Sequence, residues 1–514
     1  MSTLRPSPLR VGSSGDRDAL IACFSRAEFR EAAVCRALAI PSLDGLDGDV
    51  RARVDGTAGA RDVLDALVRL FVVGTAVDRA SLELVMTPRE MTTLIDTDLI
   101  RPAGREDGGS WYAPVRLVPL SDGSGSDREV LIASDRPDDV DGVRGEPFSD
   151  VVFSGHNPLT RQFLSLLPRT PAAAVLDLCS GTGVAALAAA GTAPRVVAVD
   201  LTDRATHFAI FNRWINGTDN VEVRTGNLFE PVEGEWFDRI VAHPPYVPTL
   251  FHTAIYRDGG ETGDQVLREI VRQAPQHLCA GGTFHLLSIG LDTAAAPFEA
   301  RVREWLGDAS AQFDIIFGLS SSKAPKQFAR TLVDRVNGSS PSDYERWLAV
   351  FDRLQVRDVV YGALVGRRIP EPGGAPQTRR VVLQTPAGPG GFDRLFRWFD
   401  YLRRPDRIAH VLATRPSVGA GTSLDVHYDL DGGSLTPRTF RLTNDGAQFK
   451  IQLETDGWVI ALMNEFTGAE TVASVYDAAR RGRRVPDGFE AFDFCELVCF
   501  LAERGLLQGT GIDA

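Results

Sequence analysis

The sequence predicts an α/β protein with a Rossmann-like sheet at its centre and smaller α+β units on either side. Three stretches carry that prediction. Ala174 to Leu178 is a short apolar strand, followed by the turn Cys179-Ser180-Gly181-Thr182-Gly183 and the alanine-rich helix Val184 to Ala190. Arg195 to Asp200 is a second buried-type strand that ends on an acid. Phe237 to Ala242 is a further strand, and it runs straight into His243-Pro244-Pro245-Tyr246. Apolar strands alternating with turns and helices are the pattern of a parallel sheet with crossover helices.

Each element has a local reason. Glycines in the first turn let backbone pass close to a ligand that side chains would block. The helix start behind them offers free amides to an anionic group. An acid closing the second strand can accept from both hydroxyls of a ribose. The helix Asp203 to Trp214 ends in the turn chemistry of Asn216-Gly217. Val221 to Thr225 is the third strand and leads into Gly226-Asn227-Leu228-Phe229. Two prolines stiffen the turn after the fourth strand, so the carbonyl between them points in a set direction. A dinucleotide-binding unit is the alternative, but the turn sets Cys179, Gly181 and Gly183 at alternate positions and lacks G-x-G-x-x-G.

This order of strands, with Asp177-Leu178-Cys179, Gly181, Gly183 and the Pro-Pro-Tyr turn, resembles the class I S-adenosyl-L-methionine (SAM)-dependent methyltransferases. Within them it is similar to the glutamine methyltransferases of release factors and their small-domain relatives. Tyr256 to Asp264 and Leu278 to His285 extend the likeness, which covers about Val151 to Arg367. The resemblance implies a seven-stranded Rossmann-like domain that uses SAM and releases S-adenosyl-L-homocysteine (SAH). It implies Asp177 beside the cofactor ammonium, with Cys179, Gly181 and Gly183 around its methionine part. It places Asp200 on the ribose, and Asn227 with Leu228 at the adenine, where the family often has Asp for Asn227. His243, Pro244 and Tyr246 would face the methyl acceptor, His243 also touching the cofactor. In relatives, Asn and the carbonyl between the prolines hold the target nitrogen, and the aromatic ring packs on the substrate plane. Here His243 stands in place of that Asn. It can orient the acceptor, take a proton from an amine or hydroxyl, or cap the strand end as a structural residue.

Length and composition bound the rest. A chain of 514 residues suggests two or three domains. The expected division is 1–145, a helical winged-helix-like domain with a strand pair; 146–385, the methyltransferase domain; and 386–514, a winged-helix-like α+β domain. An apolar share of 44% and a charged share of 24% are those of a globular protein without a membrane span or signal peptide. Six scattered cysteines suit a reducing cytoplasm and show no zinc spacing, so no metal is expected. A net charge of -13 argues against a broad grip on nucleic acid. The expected acceptor is therefore a nitrogen, or less readily an oxygen, of a peptide, protein side chain or small natural product. RNA or DNA base methylation is the alternative, served by Arg480-Arg481-Gly482-Arg483-Arg484, which also reads as a solvated basic loop. A non-catalytic SAM-fold binding protein is the third reading, suggested by the loss of Asn at position 243.

Along the flanks, the first twenty or so residues are expected to fray, and Ala60 to Val73 to form a helix. Thr87-Pro88-Arg89-Glu90 has the form of a capping box. Trp111 to Leu120 and Glu129 to Ser134 read as paired strands, and Arg136 to Asp150 as a linker. Gly281 to Ile289, Phe313 to Leu319 and Val359 to Val365 read as further strands. The insertion Ser320 to Asp358 either helps cover the substrate or packs outside. Beyond it, Phe392 to Leu402 reads as a helix, Phe440 to Leu453 as a half-buried strand, Thr467 to Glu470 as a helix cap, and Phe489 to Leu501 as a buried helix.

Overall fold

The computed structural model describes the chain apart from residues 1–8, 47, 56–58, 104–108, 122–127, 137–148, 250–254, 256, 336–340, 371–373, 385–389, 432, 445–448 and 510–514. It divides into two compact units, Met1–Ser310 with Lys323–Leu364, and Ala311–Ser322 with Val365–Ala514.

The first unit is built on β1 (Ala174–Leu178), β2 (Arg195–Asp200), β3 (Val221–Thr225), β4 (Phe237–Ala242), β5 (Leu278–Thr293) and β6 (Val356–Arg368, to Leu364 in this unit). They lie side by side in the order β3-β2-β1-β4-β5-β6. The pairs β3/β2, β2/β1, β1/β4 and β4/β5 are all parallel. Val175, Leu176, Val196, Val197 and Ile240 are wholly buried, as strands covered on both faces require. The chain moves from β1 to β2 on one side and returns to β4 on the other. Strand order therefore reverses beside β1, and a crevice opens at the carboxyl ends there. The strand expected over Phe313 to Leu319 forms as Phe313–Lys323 and belongs up to Ser322 to the second unit.

Two helices matter to the crevice. The helix α1 (Val184–Ala189) is entirely buried. The helix α2 (Asp203–Asn216) is capped by Thr202, whose hydroxyl accepts from the Ala205 amide, and ends on Gly217 at φ +62°. The insertion forms the helices Pro325–Arg335 and Pro341–Arg353. Their Phe328, Trp347 and Phe351 join Ile289 and Leu291 in one apolar cluster, and Tyr246, Val247 and Tyr361 pack against it. The insertion thus buttresses the Pro-Pro-Tyr turn from behind.

The N-terminal segments depart from expectation in two places. A helix already starts at Ser14, held by a capping box between Ser13 and Asp16, so fraying does not extend to residue 20; residues 1–8 lie outside the described chain. Ala60 to Val73 is not one α-helix: Val63–Leu67 is α-helical and Val68–Val73 is a π-helix. The wider turn fits the Arg136 guanidinium, which donates to the carbonyls of Leu70 and Phe71. The Thr87 capping box forms as read, the Glu90 amide donating to Thr87 and the Thr87 amide to Glu90. Val115–Ser121 and Glu129–Asp135 pair antiparallel; residues 122–127 between them, and 137–148 of the expected linker, are not described.

In the second unit Phe313–Lys323 pairs in parallel with Thr378–Val382. The helix Gly390–Leu402 buries Phe396, Trp398 and Phe399 as expected. The run Phe440 to Leu453 is two strands, Ser434–Asn444 and Ile451–Thr455, joined to Thr422–Asp431 in a three-stranded sheet. Thr467 does not cap the next helix, because it bridges to Ser417; Thr471 caps it instead. The last helix, Ala491–Glu503, leaves Phe492 and Phe500 partly exposed, so it is not buried all round. In the basic run, Arg480 pairs with Glu490 at 3.4 Å and Arg484 with Glu465 at 2.6 Å. Among the described residues no helix is long and apolar enough to cross a membrane.

Asp314 anchors this unit. Its side chain is fully buried, accepts from Arg367 at 3.0 Å and from the Gln377 amide at 2.9 Å, and pairs with Arg403. Removing it leaves two guanidinium groups short of one partner, with Asp400 still holding both. Asp314→Ala is expected to cost about 3 kcal/mol in urea unfolding, near the lower end for a broken buried pair. A loss below about 1 kcal/mol would show the pair to be dispensable.

Candidate active site

The carboxyl ends of β1 to β4 open onto a cavity of about 1260 Å³. Asp177, Cys179 and Gly181 form one wall, Asp200, Asn227 and Leu228 a second, and His243, Pro244 and Tyr246 a third. Every residue singled out in the sequence is brought together here except Gly183, which lies behind the wall. A Cβ on Gly183 would meet the Ala209 Cβ at 3.1 Å, and its φ is +76°. It serves the close packing of the turn on α2. Gly181 is different: at φ +53°, a Cβ there would meet nothing within 4 Å. The space in front of it is open cavity.

Two acids face each other across the turn. The Asp177 Oδ2 accepts from the Ala186 amide at 3.0 Å, and the Asp200 Oδ2 accepts from the Gly181 amide at 2.8 Å. The Asp200 Oδ1 accepts from the Thr202 amide at 3.2 Å. Burial, with Asp200 adding to it, pushes Asp177 up to about 8. Burial also raises Asp200, against the lowering effect of the Gly181, Thr202 and Leu201 amides and the Thr202 hydroxyl. The thiol of Cys179 is raised by burial and by both acids, so it is no nucleophile. Unionised or strained acids side by side in a cavity are what a cationic ligand would relieve. Cys179 at φ +54° and Leu228 at φ +49° are non-glycine residues in the left-handed region, and both line the cavity. Each such conformation costs on the order of 1–3 kcal/mol and persists where surrounding structure imposes it. Asn227 donates to Glu230 at 3.4 Å and remains on the exposed side.

On the third wall, the His243 imidazole stacks on Tyr246 (centroids 5.4 Å, 14°) and tilts against Phe163 (5.4 Å, 44°). Its Nε2 is buried without a hydrogen-bond partner among the described residues, and burial lowers its pKa to about 4. Tyr246 in turn packs on Tyr361 at 5.8 Å. Sequence reasoning missed Phe163, Tyr361 and the strap from Asp150 to Phe153. Ile255 donates its amide to the Ser149 carbonyl at 2.9 Å, tying the strap to the loop beyond Tyr246. Asp150 lines the cavity at 5% exposure, and its Oδ1 is buried with no hydrogen-bond partner among the described residues. A lone acid beside an Asp- and Gly-rich stretch gave no signal of this.

The acid pair predicts a pH effect. Asp177 titrates near 3.8 when exposed and near 8 when folded, so its contribution to stability is complete below about 4 and is lost as pH rises toward 8. Melting temperatures of the ligand-free protein should fall across that window, and Asp177→Asn should flatten the fall. A variant whose pH dependence matches the wild type would exclude Asp177 as its source.

A family model for the methyltransferase small domain matches residues 151–292. The ribosomal protein uL3 glutamine methyltransferase of Bradyrhizobium diazoefficiens is 32% identical over 28% of this chain and 49% of its own. A release factor glutamine methyltransferase from Pseudomonas aeruginosa is 33% identical over 43% of this chain and 86% of its own. The chain spans about half the length of several other curated relatives it matches, 48% and 49% in two release-factor enzymes. Among solved structures, a ribosomal protein L11 methylase from Lactobacillus delbrueckii subsp. bulgaricus aligns over 39% of this chain and 71% of its own, at 19% identity and a TM-score of 0.23. At that score it adds nothing to the topology described above. A third of identities retained over most of the Pseudomonas enzyme, together with the small-domain match across the cavity, decides the family: the chain belongs to the class I SAM-dependent methyltransferases of the release-factor glutamine methyltransferase and small-domain group.

Proposed function

We propose that the chain transfers the methyl group of SAM to a nitrogen of a peptide or protein side chain. The observation that carries this is the cavity itself, with a buried acid pair on one side and, beside a proline turn on the other, an imidazole whose Nε2 has no hydrogen-bond partner among the described residues. The relatives' names, glutamine methyltransferases of release factors and of a ribosomal protein, support a protein acceptor. On this reading the segments 1–145 and 386–514 are winged-helix-like flanks of the domain 146–385.

The residues fit the cofactor. Gly181 leaves room for its methionine part, Asp177 answers its ammonium, and Asp200 keeps lone pairs free for ribose hydroxyls after accepting two amides. Asn227 and Leu228 stand at the adenine. When bound, SAM supplies a methyl group already activated by its sulfonium. What remains for the protein is alignment, which contributes up to ~7–11 kcal/mol. Tyr246, fixed between His243 and Tyr361, presents a flat face to the acceptor, and the Pro244 carbonyl accepts one of its N–H groups. The Asp150 carboxylate, an acceptor only, suits a second N–H. An imidazole held near 4 stays neutral in the working range and is a poor base, so we assign His243 to orienting the acceptor nitrogen rather than to removing its proton.

Two measurements test this. Calorimetry of SAH binding at pH 7, in buffers of different ionisation enthalpy, should show release of a proton as Asp177 ionises beside the ammonium, and Asp177→Asn should abolish it. Uptake of a nicotinamide dinucleotide with none of SAH would overturn the cofactor assignment. Methyl-labelled SAM offered with peptides displaying Gln, Asn, Lys or Arg, and with RNA as control, should label a peptide. His243→Asn should keep turnover within about tenfold of wild type, where loss of a general base would cost ~10²–10⁴. Label in the RNA, or a loss of that larger size, would overturn the acceptor class or the role of His243 respectively.

A further inference from the structure

Asn212 sits on α2 behind the cavity wall, which it does not itself line, and it is completely buried. Its Oδ1 accepts from the Ala133 amide at 2.8 Å, and its Nδ2 donates to the Ala133 carbonyl at 3.0 Å and to the Thr182 carbonyl at 2.9 Å. Both of its donors are used. Four residues on, Asn216 repeats half of this arrangement, accepting from the Leu131 amide at 2.9 Å and donating to the Leu131 carbonyl at 2.8 Å. Positions four apart on a helix share a face, and positions two apart on a strand share an edge. Two asparagines thereby replace a neighbouring strand for the edge of Glu129–Asp135. Only Asn212 continues into the glycine turn.

The same strand reaches two more walls of the cavity. At its end, Asp135 accepts from Arg204 at 2.9 Å and 2.5 Å, with both side chains buried, and Arg204 opens α2 just beyond Asp200. Asp135 also clamps Val152 of the strap, accepting from its amide at 2.8 Å and donating its own amide to the Val152 carbonyl at 3.1 Å.

We infer that Asn212 is a positioning residue for cofactor binding: through Thr182 it sets the glycine turn against the N-terminal strand, which makes that strand a component of the cofactor site. The inference rests on the cavity being a SAM site. Without the Asn212 amide, the Thr182 carbonyl loses its buried donor, and the turn carrying Cys179 and Gly181 relaxes away from the shape that Asp200 and Asp177 hold.

Asn216 supplies the control, because it grips the same strand without touching the turn. SAH affinity by calorimetry and melting temperature are measured for the full chain, Asn212→Ala and Asn216→Ala. The expected result is a loss of SAH affinity of about tenfold for Asn212→Ala and under about twofold for Asn216→Ala, at comparable losses in melting temperature. Should Asn212→Ala fail to fold, Asn212→Asp keeps the shape and the bond from the Ala133 amide while removing the donors to the Ala133 and Thr182 carbonyls; Asn216→Ala also loses the donor to the strand, so the same contrast at the turn is expected. Equal SAH affinities in all folded variants, or equal losses at both positions, would overturn the inference. A wild-type protein that takes up no SAH would instead overturn the cofactor reading, and this inference with it.

Discussion

Two carboxylates forced into one turn are the constraint on which the rest of the first unit depends. Parallel strands β1 and β2 end side by side, so Asp177 and Asp200 arrive within reach of the same short loop. Neither is solvated as an exposed acid would be. Each is held by backbone amides, Asp177 by that of Ala186 and Asp200 by those of Gly181 and Thr202. Those bonds close the glycine turn from both ends and fix where α1 and α2 begin. The arrangement is unfavourable for the empty protein and favourable for one that receives a cation, which is how binding sites differ from cores of equal burial.

What could be read beforehand was whatever a short window encodes. Strand ends, a glycine turn, a terminal acid and a double proline each declare themselves in fewer than ten residues, and these placed nine of the ten distinct site residues on the cavity wall. Gly183 was right in kind and wrong in purpose, because only the packed structure reveals Ala209 behind it. The residues that escaped notice act across long separations. Phe163 meets His243 eighty positions away, and Arg136 donates to the carbonyls of Leu70 and Phe71 from beyond a strand pair in the sequence. No periodicity announces a π-helix whose carbonyls are met by a distant guanidinium.

The Pro-Pro-Tyr turn shows the same division. Its prolines explain its stiffness locally, but its position is a collective property. Tyr246 is caught between His243 and Tyr361, and Tyr361 stands on the apolar cluster of the insertion helices. The insertion that could have been decoration is therefore structural support for the face on which an acceptor would lie, and a substitution there would be felt at the site without touching it.

The contact between Gly183 and Ala209 carries a consequence for inheritance. Where a Cβ at 183 would meet that of 209 at 3.1 Å, neither position can be judged alone. A methyl group gained at one must be answered by its loss at the other, and position 183 also demands a backbone that resists side chains. The two sites behave as a single letter written in two places. Grafting this turn onto a sister chain would succeed only when both halves of that letter travel together.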